Sequence, residues 1–247
     1  SFPTRRSSDL PNHPKYMICN ADEGEPGTFK DRVILQRLFG PMLEGMIIGA
    51  YAVGASEGII YLRAEYRYLQ EKLEQKIQEF YEKNWLGKNI LDIPDFNFDI
   101  RIQLGAGAYV CGAESALLQS LEGHRGEPRA RAYFPTEKGY LDQPTVVNNV
   151  ETFLAAARIL EMGPETVAAL GTERSKGTKL LSVSGDCAKP GIYEIEWGMT
   201  LGELMKLCEA PDPHLVQISG PSGELCTAAD LDRRIAIEDL GCGGSVM

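Results

Sequence analysis

Short apolar segments alternate with longer helical ones up to about residue 160, and this alternation restricts the fold more than any other feature. The helical pattern is clearest at residues 65–83, where apolar residues recur at spacings of three and four. Strands that alternate with helices are typical of α/β proteins. We therefore predict an α/β fold. The predicted strands are residues 16–19, 58–62 and 96–102, and the predicted helices are residues 41–55, 65–83, 114–122 and 149–160.

The pattern changes after the polar segment 171–177, which indicates a second, smaller domain. It contains predicted strands at 179–185, 191–195 and 216–220, and a helix at 201–208 that Thr200 is placed to cap. We assign residues 11–172 to the first domain and residues 173–247 to the second. Residues 1–10 have no apolar period and resemble translated adapter sequence, so we expect an artefactual or disordered arm.

The acidic composition narrows the choice of partners. The 247 residues carry a formal net charge of −10, which disfavours nucleic acid or an anionic membrane as the main partner. The longest apolar run, near residues 46–53, is interrupted by Gly49 and is too short to span a membrane. No signal peptide opens the chain. We therefore expect a cytoplasmic protein.

The cysteines do not suggest a metal site. The chain has six, and none forms a C-x-x-C pair. Free cysteines are commonly buried, so we expect reduced core thiols and assign no metal ligand. An iron–sulfur or zinc site built from these residues alone is not expected.

An acidic turn follows the first predicted strand. Residues 20–32 read NADEGEPGTFKDR, and they place Asp22, Glu23 and Glu25 beside two glycines. Carboxylates are strong acceptors for hydroxyl groups such as those of ribityl and ribose chains. The alternative is a solvated acidic turn that forms weak surface pairs with nearby basic residues.

A glycine-rich segment, GAGAYVCG at residues 105–112, follows the third predicted strand. Glycines let the backbone approach a ligand closely, and N–H groups at a helix start favour negative charge. The spacing is not G-x-G-x-x-G, so an ordinary dinucleotide motif is a weak match. Tyr109 has a ring that can stack on a nicotinamide or flavin. The alternatives are a tight structural turn and a core tyrosine.

Two further segments carry polar or aromatic side chains. Asn148 and Asn149 offer amide donors and acceptors that suit a phosphate, a ribityl chain or an isoalloxazine edge, or else cap a helix. Arg131 could pair with a diphosphate and Phe134 could stack on adenine. The alternative for residues 125–135 is an arginine-rich surface loop.

Together and in this order, the segments at residues 20–32, 105–114 and 144–152 resemble the NADH-oxidising flavoprotein subunit of respiratory complex I and its soluble relatives. Residues 180–193 and 217–224 are most similar to the diaphorase flavoprotein of NAD-linked nickel–iron hydrogenases. The resemblance runs from about residue 16 to residue 247. It implies an α/β, Rossmann-like FMN- and NADH-binding domain, followed by a small β-grasp domain (ubiquitin-like, soluble-ligand-binding).

The resemblance also implies a function. A hydride would pass from NADH to FMN, and single electrons would then reach iron–sulfur clusters of a larger complex such as an NAD-reducing hydrogenase. The implied cofactors are FMN and NAD(H), with a 4Fe-4S cluster in the full-length parent but not in this fragment. The implied partners are a thioredoxin-like 2Fe-2S subunit and hydrogenase or complex I subunits. Hydride transfer needs positioning more than an acid or base, so no catalytic residue is assigned.

The resemblance assigns cofactor contacts residue by residue. It places the flavin near Asn20, Asp22, Glu23 and the two asparagines of residues 148–149, the nicotinamide near Glu25, and adenine near Phe134. The complete predicted set of cofactor-binding residues is Asn20, Asp22, Glu23, Glu25, Tyr109, Gly112, Glu114, Arg131, Phe134, Asn148 and Asn149.

The sequence departs from the family pattern in three places. A lysine-containing, glycine-rich loop for the FMN phosphate is expected before Tyr16, and a cysteine-rich four-iron motif is expected beyond Met247. We therefore interpret the chain as a fragment. The family commonly has two adjacent acids where this chain has Ala113 and Glu114. An acid beside the adenosine ribose accepts from its hydroxyls and repels a 2′-phosphate, so Glu114 predicts a preference for NADH over NADPH.

Two other functions remain open at this point. The enzymatic alternative is the flavoprotein subunit of complex I itself or of an NAD-linked formate dehydrogenase. The alternative of another class is a non-catalytic docking module, in which the β-grasp region binds partner subunits and no flavin.

Overall fold

The computed structural model of the chain describes residues 14–128, 133–210 and 212–247. The chain divides into two compact units. The first contains the described residues up to Gly24 and those of Arg32–Arg158, and the second contains Glu25–Asp31 and Ile159–Met247. The short segment Glu25–Asp31 therefore belongs to the second unit, although the chain on both sides of it belongs to the first. The domain limits at residues 10 and 172 stay predictions.

The first unit is built on a four-stranded parallel sheet, as the α/β prediction requires. Its strands are β1 (Tyr16–Ala21), β2 (Glu57–Leu62), β3 (Asp99–Leu104) and β4 (Thr145–Asn149), in the spatial order β3-β2-β1-β4. Every pair is parallel, so the carboxyl ends of all four strands share one edge of the sheet. Strand β1 is almost entirely buried because it lies between two neighbours and is covered on both faces.

The helices between residues 30 and 162 begin and end close to the predicted positions, except that one predicted helix is divided into two. The predicted helix at residues 65–83 consists of a 3₁₀ segment, Ala64–Leu69, followed by an amphipathic α-helix that buries Leu73, Ile77 and Phe80. One α-helix, which begins at Lys30, was not predicted. The α-helices are α1 (Lys30–Arg37), α2 (Phe39–Val53), α3 (Gln70–Glu82), α4 (Glu114–Leu121) and α5 (Val150–Met162), and 3₁₀ turns lie at Ile90–Asp92, Tyr109–Gly112 and Tyr140–Asp142.

The two faces of the parallel sheet have different cores. On one face, α4 packs against a cluster formed by Ile18, Ile59, Tyr61, Cys111, Leu117 and Leu118. On the other face, the apolar helix α2 lies against the sheet, and the Cys19 thiol reaches the sulfur of Met42 at 3.9 Å. Successive residues of a strand point to opposite faces, so Ile18 belongs to the core beside α4 and Cys19 to the core beside α2.

The second unit contains a five-stranded mixed sheet, whose strands lie in the order β6 (Gly191–Glu196), β5 (Thr178–Val183), β9 (Ser245–Val246), β7 (Val216–Ile218) and β8 (Glu224–Cys226). Counted within the unit, this order is 2-1-5-3-4, with the first and last strands parallel at the centre, as expected for the predicted β-grasp domain. The predicted Thr200 cap is present as a capping box with Glu203. The elements are α6 (Pro164–Ala168), β5 (Thr178–Val183), β6 (Gly191–Glu196), α7 (Leu201–Leu207), β7 (Val216–Ile218), β8 (Glu224–Cys226) and β9 (Ser245–Val246), with 3₁₀ turns at Gly220–Ser222 and Ala228–Asp230.

Within the described ranges, no single helix is long and apolar enough to cross a membrane. Helices α1 and α2 reach that length and composition only as a pair, and they are bent by 95° where they meet.

Gly45 in α2 provides a test of this packing. A Cβ atom at Gly45 would lie 1.8 Å from the carbonyl oxygen of Phe153 in α5, whereas one at Gly40 would lie 3.9 Å from the nearest atom of Phe80. Gly45→Ala should lower the free energy of unfolding by about 1–3 kcal/mol, the usual cost of overpacking. Gly40→Ala in the same helix is the control and should be neutral or stabilising, since alanine favours a helix over glycine by about 0.5–1 kcal/mol. Denaturant unfolding of both variants measures this, and equal stability would contradict the close approach of α2 and α5.

Candidate functional site

Three polar side chains lie in one row across the carboxyl edge of the parallel sheet. Asn20 of β1 is in register with Tyr61 of β2 on one side and with Asn149 of β4 on the other. Residues in register on parallel strands point to the same face, which here is the face covered by α4. The sheet therefore brings the first and third predicted segments together through two of their asparagines.

Asn20 connects this row to the glycine-rich segment. Its side-chain amide donates to the carbonyl oxygen of Gly112 at 2.9 Å, and its side-chain oxygen accepts from the backbone N–H of Asp22 at 3.1 Å. Gly112 also lies close to the acidic turn, since a Cβ atom there would be 3.2 Å from the carbonyl oxygen of Asp22. Asn20, Asp22 and Gly112 are thus assembled by hydrogen bonds and close backbone packing.

Asn149 is a helix cap, one of the two roles considered for it from sequence, and its contact with a cofactor stays a prediction. Its side-chain oxygen accepts from the backbone N–H of Glu151 at 3.0 Å, so it caps α5. Its amide nitrogen donates to the carbonyl oxygen of Asn20 at 3.3 Å. Asn148 differs, because it is in register with Cys19 and so belongs to the opposite face of the sheet. The structure therefore groups Asn149, and not Asn148, with Asn20.

The acidic turn is buried rather than solvated. Asp22 is 8% exposed and Glu23 is 5% exposed. A carboxylate oxygen of Glu23 accepts from the hydroxyl of Tyr66 at 2.8 Å and from the backbone N–H of Arg32 at 3.3 Å. The Arg63 guanidinium donates to the carbonyl oxygen of Glu23 at 2.5 Å. The turn is therefore held in a defined shape.

Asp22 combines a raised pKa with a buried carboxylate oxygen that lacks a partner. Its Oδ2 atom is buried and has no hydrogen-bond partner among the described residues. Burial raises the pKa of Asp22 from 3.8 to about 6, although the Arg63 charge acts in the opposite direction. A buried acceptor without a partner is costly, and a ligand hydroxyl or N–H would satisfy it.

The glycine-rich segment ends in an exposed aromatic ring and a helix start. Tyr109 opens a 3₁₀ turn and is 58% exposed, so it is not the core tyrosine considered as an alternative. Gly24 lets the acidic turn approach it, because a Cβ atom there would lie 3.1 Å from the Tyr109 ring. Glu114 is half-buried and is the first residue of α4, where the helix dipole favours a negative charge.

Of the remaining predicted residues, the structure describes Phe134 and Glu25 but not Arg131. Phe134 belongs to the first unit, has a ring that is 64% exposed, and accepts at its carbonyl oxygen from the N–H groups of Glu137 and Lys138. Glu25 belongs to the second unit, where Gly220 packs so tightly against its carboxylate that a Cβ atom would overlap Oε1. Arg131 lies outside the described residues.

No group of three or more His, Cys, Asp or Glu side chains within the described ranges could hold a metal ion. The six cysteines are all free thiols, and five of them are buried. These residues do not fit an iron–sulfur cluster.

Comparison with known proteins establishes the family. The family model Complex1_51K, described as the Nuo51 FMN-binding domain, matches residues 1–158. More than half of the chain is matched, so the chain belongs to this family.

Two relatives and one solved structure refine the comparison. The chain is 56% identical to the NAD-reducing hydrogenase HoxS subunit alpha of Cupriavidus necator over 242 residues, which is 98% of this chain and 40% of that protein. It is 42% identical to the NADP-reducing hydrogenase subunit HndC of Solidesulfovibrio fructosivorans, over 94% of this chain and 48% of that protein. A crystal structure of an NAD⁺-reducing [NiFe]-hydrogenase in the H₂-reduced state superposes with a TM-score of 0.91 at 46% identity, over 98% of this chain and 41% of that one. The chain thus spans less than half the length of each.

Three residues that support the site, Tyr61, Arg63 and Tyr66, were not predicted from the sequence. Tyr61 lies within an apolar run, Arg63 lies between the predicted strand 58–62 and the predicted helix 65–83, and Tyr66 lies within that helix. Their side chains meet the acidic turn and the glycine-rich segment only after the sheet has formed. No local spacing in the sequence marks them.

The raised pKa of Asp22 makes a prediction about stability. The native carboxyl keeps its proton to higher pH than the unfolded chain does, so between about pH 4 and 6 stability should fall as pH rises. Asp22→Asn is neutral at every pH and should escape this loss. In the flavin-free protein, its Tm relative to wild type should therefore rise between about pH 4 and 7, by about 2–4 °C for each kcal/mol.

The control for this measurement is Asp95→Asn, which changes an exposed carboxyl in the same unit and should follow the wild-type curve. A constant difference in Tm between Asp22→Asn and wild type across the pH range would show that the Asp22 pKa is not raised.

Proposed function

We propose that the chain is the FMN- and NADH-binding part of an NADH dehydrogenase (diaphorase) flavoprotein subunit, of the kind found in NAD-reducing hydrogenases. The observation that carries the proposal is the convergence of Asn20, Asp22, Gly112 and Asn149 at the carboxyl edge of a parallel sheet. Ligands of open α/β sheets bind at this edge. The family resemblance assigns three of these residues, Asn20, Asp22 and Asn149, to the flavin together with Glu23 and Asn148.

The donors and acceptors of the site fit FMN. Asp22 supplies a buried carboxylate oxygen that lacks a partner, which suits a ribityl hydroxyl or a flavin N–H. The asparagine amides of Asn20 and Asn149 are already oriented by bonds to the backbone. Gly24 and Gly112 let the acidic turn and the glycine-rich segment pack closely, because a Cβ atom at either glycine would lie within 3.2 Å of the other segment. Preorganised groups of this kind bind a rigid ring without a large ordering cost.

Asn20, Asp22 and Asn149 would hold FMN, which would supply a hydride acceptor able to pass electrons on singly. The protein's part is to position NADH. The exposed ring of Tyr109 would stack on the nicotinamide or flavin, and that of Phe134 would stack on adenine. Glu25 would meet the nicotinamide end, and Glu114 at the start of α4 would accept from the ribose hydroxyls. Arg131 would pair with the diphosphate.

The remaining assignments follow from the same proposal. The electron acceptors would be iron–sulfur centres outside the described residues. The partners would be subunits of a multi-subunit complex, such as a thioredoxin-like 2Fe-2S subunit with hydrogenase or complex I subunits. The location would be the cytoplasm. The higher identity to the HoxS subunit alpha, 56%, than to the NADH-quinone oxidoreductase F subunits of Aquifex aeolicus, 48%, and Escherichia coli, 39%, supports the hydrogenase type over the complex I type.

An anaerobic titration of the full-length protein with FMN, and then with NADH or NADPH, tests the function. We expect saturable FMN binding and loss of flavin absorbance on adding NADH, faster than for free FMN. NADPH should bleach the flavin more slowly, because Glu114 repels the 2′-phosphate even though its neighbour is Ala113.

The comparison of NADH with NADPH is informative because one relative is named for NADP and another for NAD. Equal rates with NADH and NADPH would refute the proposed role of Glu114. Absence of FMN binding would refute the oxidoreductase proposal and favour the docking module.

Glu25→Gln separates the proposed nicotinamide contact from flavin binding. Loss of this charge should lower NADH turnover by about tenfold, as for loss of one charged hydrogen bond, while FMN content stays at the wild-type level. Steady-state kinetics and flavin fluorescence measure the two effects. Glu196→Gln, an exposed acid on β6 of the same unit, is the control and should change neither. Equal loss of turnover and FMN would contradict this division of roles.

A further inference from the structure

Tyr61 lies at one end of the row of polar residues, beside Asn20, but has no assigned role. Its ring is fully buried on β2, in register with Asn20 and on the face that α4 covers. Its hydroxyl donates to the Ser120 hydroxyl of α4 at 2.7 Å and accepts from the backbone N–H of Ala106 at 3.3 Å. One buried hydroxyl therefore links the glycine-rich turn to the helix that follows it.

The Tyr61 ring also sets the path of the turn. A Cβ atom at Gly105 would lie 2.9 Å from ring atom Cε1, so the backbone rests directly on the ring. The N–H of Gly105 donates to the carbonyl oxygen of Leu62 at 2.7 Å, which continues the β2–β3 pairing up to this point. Glycine is needed here because of the close approach of the ring and not because of an unusual backbone angle.

The hydroxyl stays protonated under ordinary conditions. Burial raises the pKa of Tyr61 from 10.0 to about 12. The group can therefore act as a donor to Ser120 throughout the pH range of an enzyme assay.

We propose that Tyr61 is a positioning residue for the coenzyme. Its hydroxyl fixes residues 105–108 against α4, so that Tyr109 and Glu114 are held ready to receive NADH. The inference rests on the proposed function, since it assumes that these two residues contact NADH. Tyr61 acts through the turn and the helix, and its own hydroxyl is occupied by Ala106 and Ser120.

Tyr61→Phe in the full-length, FMN-loaded protein tests the proposal. The variant keeps the ring that supports Gly105 and removes only the hydroxyl. Binding of NADH would then have to order the turn, so KM for NADH should rise by about three- to tenfold, which corresponds to one hydrogen bond. Because the ordered complex is the same, kcat and FMN content should stay within about twofold of wild type.

Ser120→Ala removes the same hydrogen bond from α4 and keeps the test decisive if Tyr61→Phe folds poorly. It should also raise KM. The double variant should raise KM by less than the product of the two single effects, since both act on one interaction.

Tyr81→Phe is the matched control. Its hydroxyl likewise donates to a side chain, Asp99 at 3.0 Å, and accepts from a backbone N–H, that of Ile100 at 3.2 Å, but it lies at the opposite end of β3. It should lower Tm without changing KM.

The outcomes distinguish the positioning role of Tyr61 from the proposed function of the chain. An unchanged KM in Tyr61→Phe and Ser120→Ala, or an equal rise in Tyr81→Phe, would overturn the positioning role while leaving the proposed function intact. A wild-type protein that binds FMN but does not oxidise NADH would overturn both.

Discussion

The parallel register of β1 with its two neighbours is the constraint on which the site depends. It places Asn149, Asn20 and Tyr61 in one row at the carboxyl edge of the sheet. A shift by one residue would turn the β1 side chains to the opposite face, and Asn20 would then lose Gly112. Such a shift is unfavourable, because it would move each buried apolar residue of β1 from the core on one face of the sheet to the core on the other. The apolar packing that fixes the register of β1 therefore also fixes the row of polar side chains.

The site combines groups whose hydrogen bonds are satisfied with one that is not. Glu23 is supported by Tyr66, Arg63 and the Arg32 backbone, and Asn20 is supported by Gly112. Asp22, in contrast, keeps a buried carboxylate oxygen without a partner among the described residues. Such a group costs stability in the empty protein, and this cost is recovered when a ligand supplies the missing donor. Rigid neighbours prevent the protein from relaxing around it, which is the arrangement expected of a preformed binding site.

Much of the fold could be predicted from periodicity, because strands and helices with a buried face repeat their apolar residues regularly. Strand β4 was missed because only Val146 and Val147 are apolar in it, and its position depends on pairing with β1. Helix α1 was missed because its first residues were taken as part of the acidic turn. Local patterns describe neither case, since both depend on contacts distant in sequence.

The site was predicted less completely than the fold. Adjacent residues of a strand point to opposite faces, so Asn149 shares a face with Asn20 and Asn148 lies on the other face, and contact of Asn148 with the flavin stays a prediction. Tyr61 is indistinguishable from its apolar neighbours until the sheet is assembled. Glu25 is attached to the second unit by contacts with Gly220, nearly 200 residues away in the chain.

The most direct test of this flavin site is a structure of the full-length protein with FMN bound, determined by crystallography or electron microscopy. We predict that a flavin hydroxyl or N–H lies within hydrogen-bond distance of Asp22 Oδ2, with the cofactor between the acidic turn and the row formed by Asn20 and Asn149. A flavin bound elsewhere, with Asp22 still lacking a partner, would contradict it.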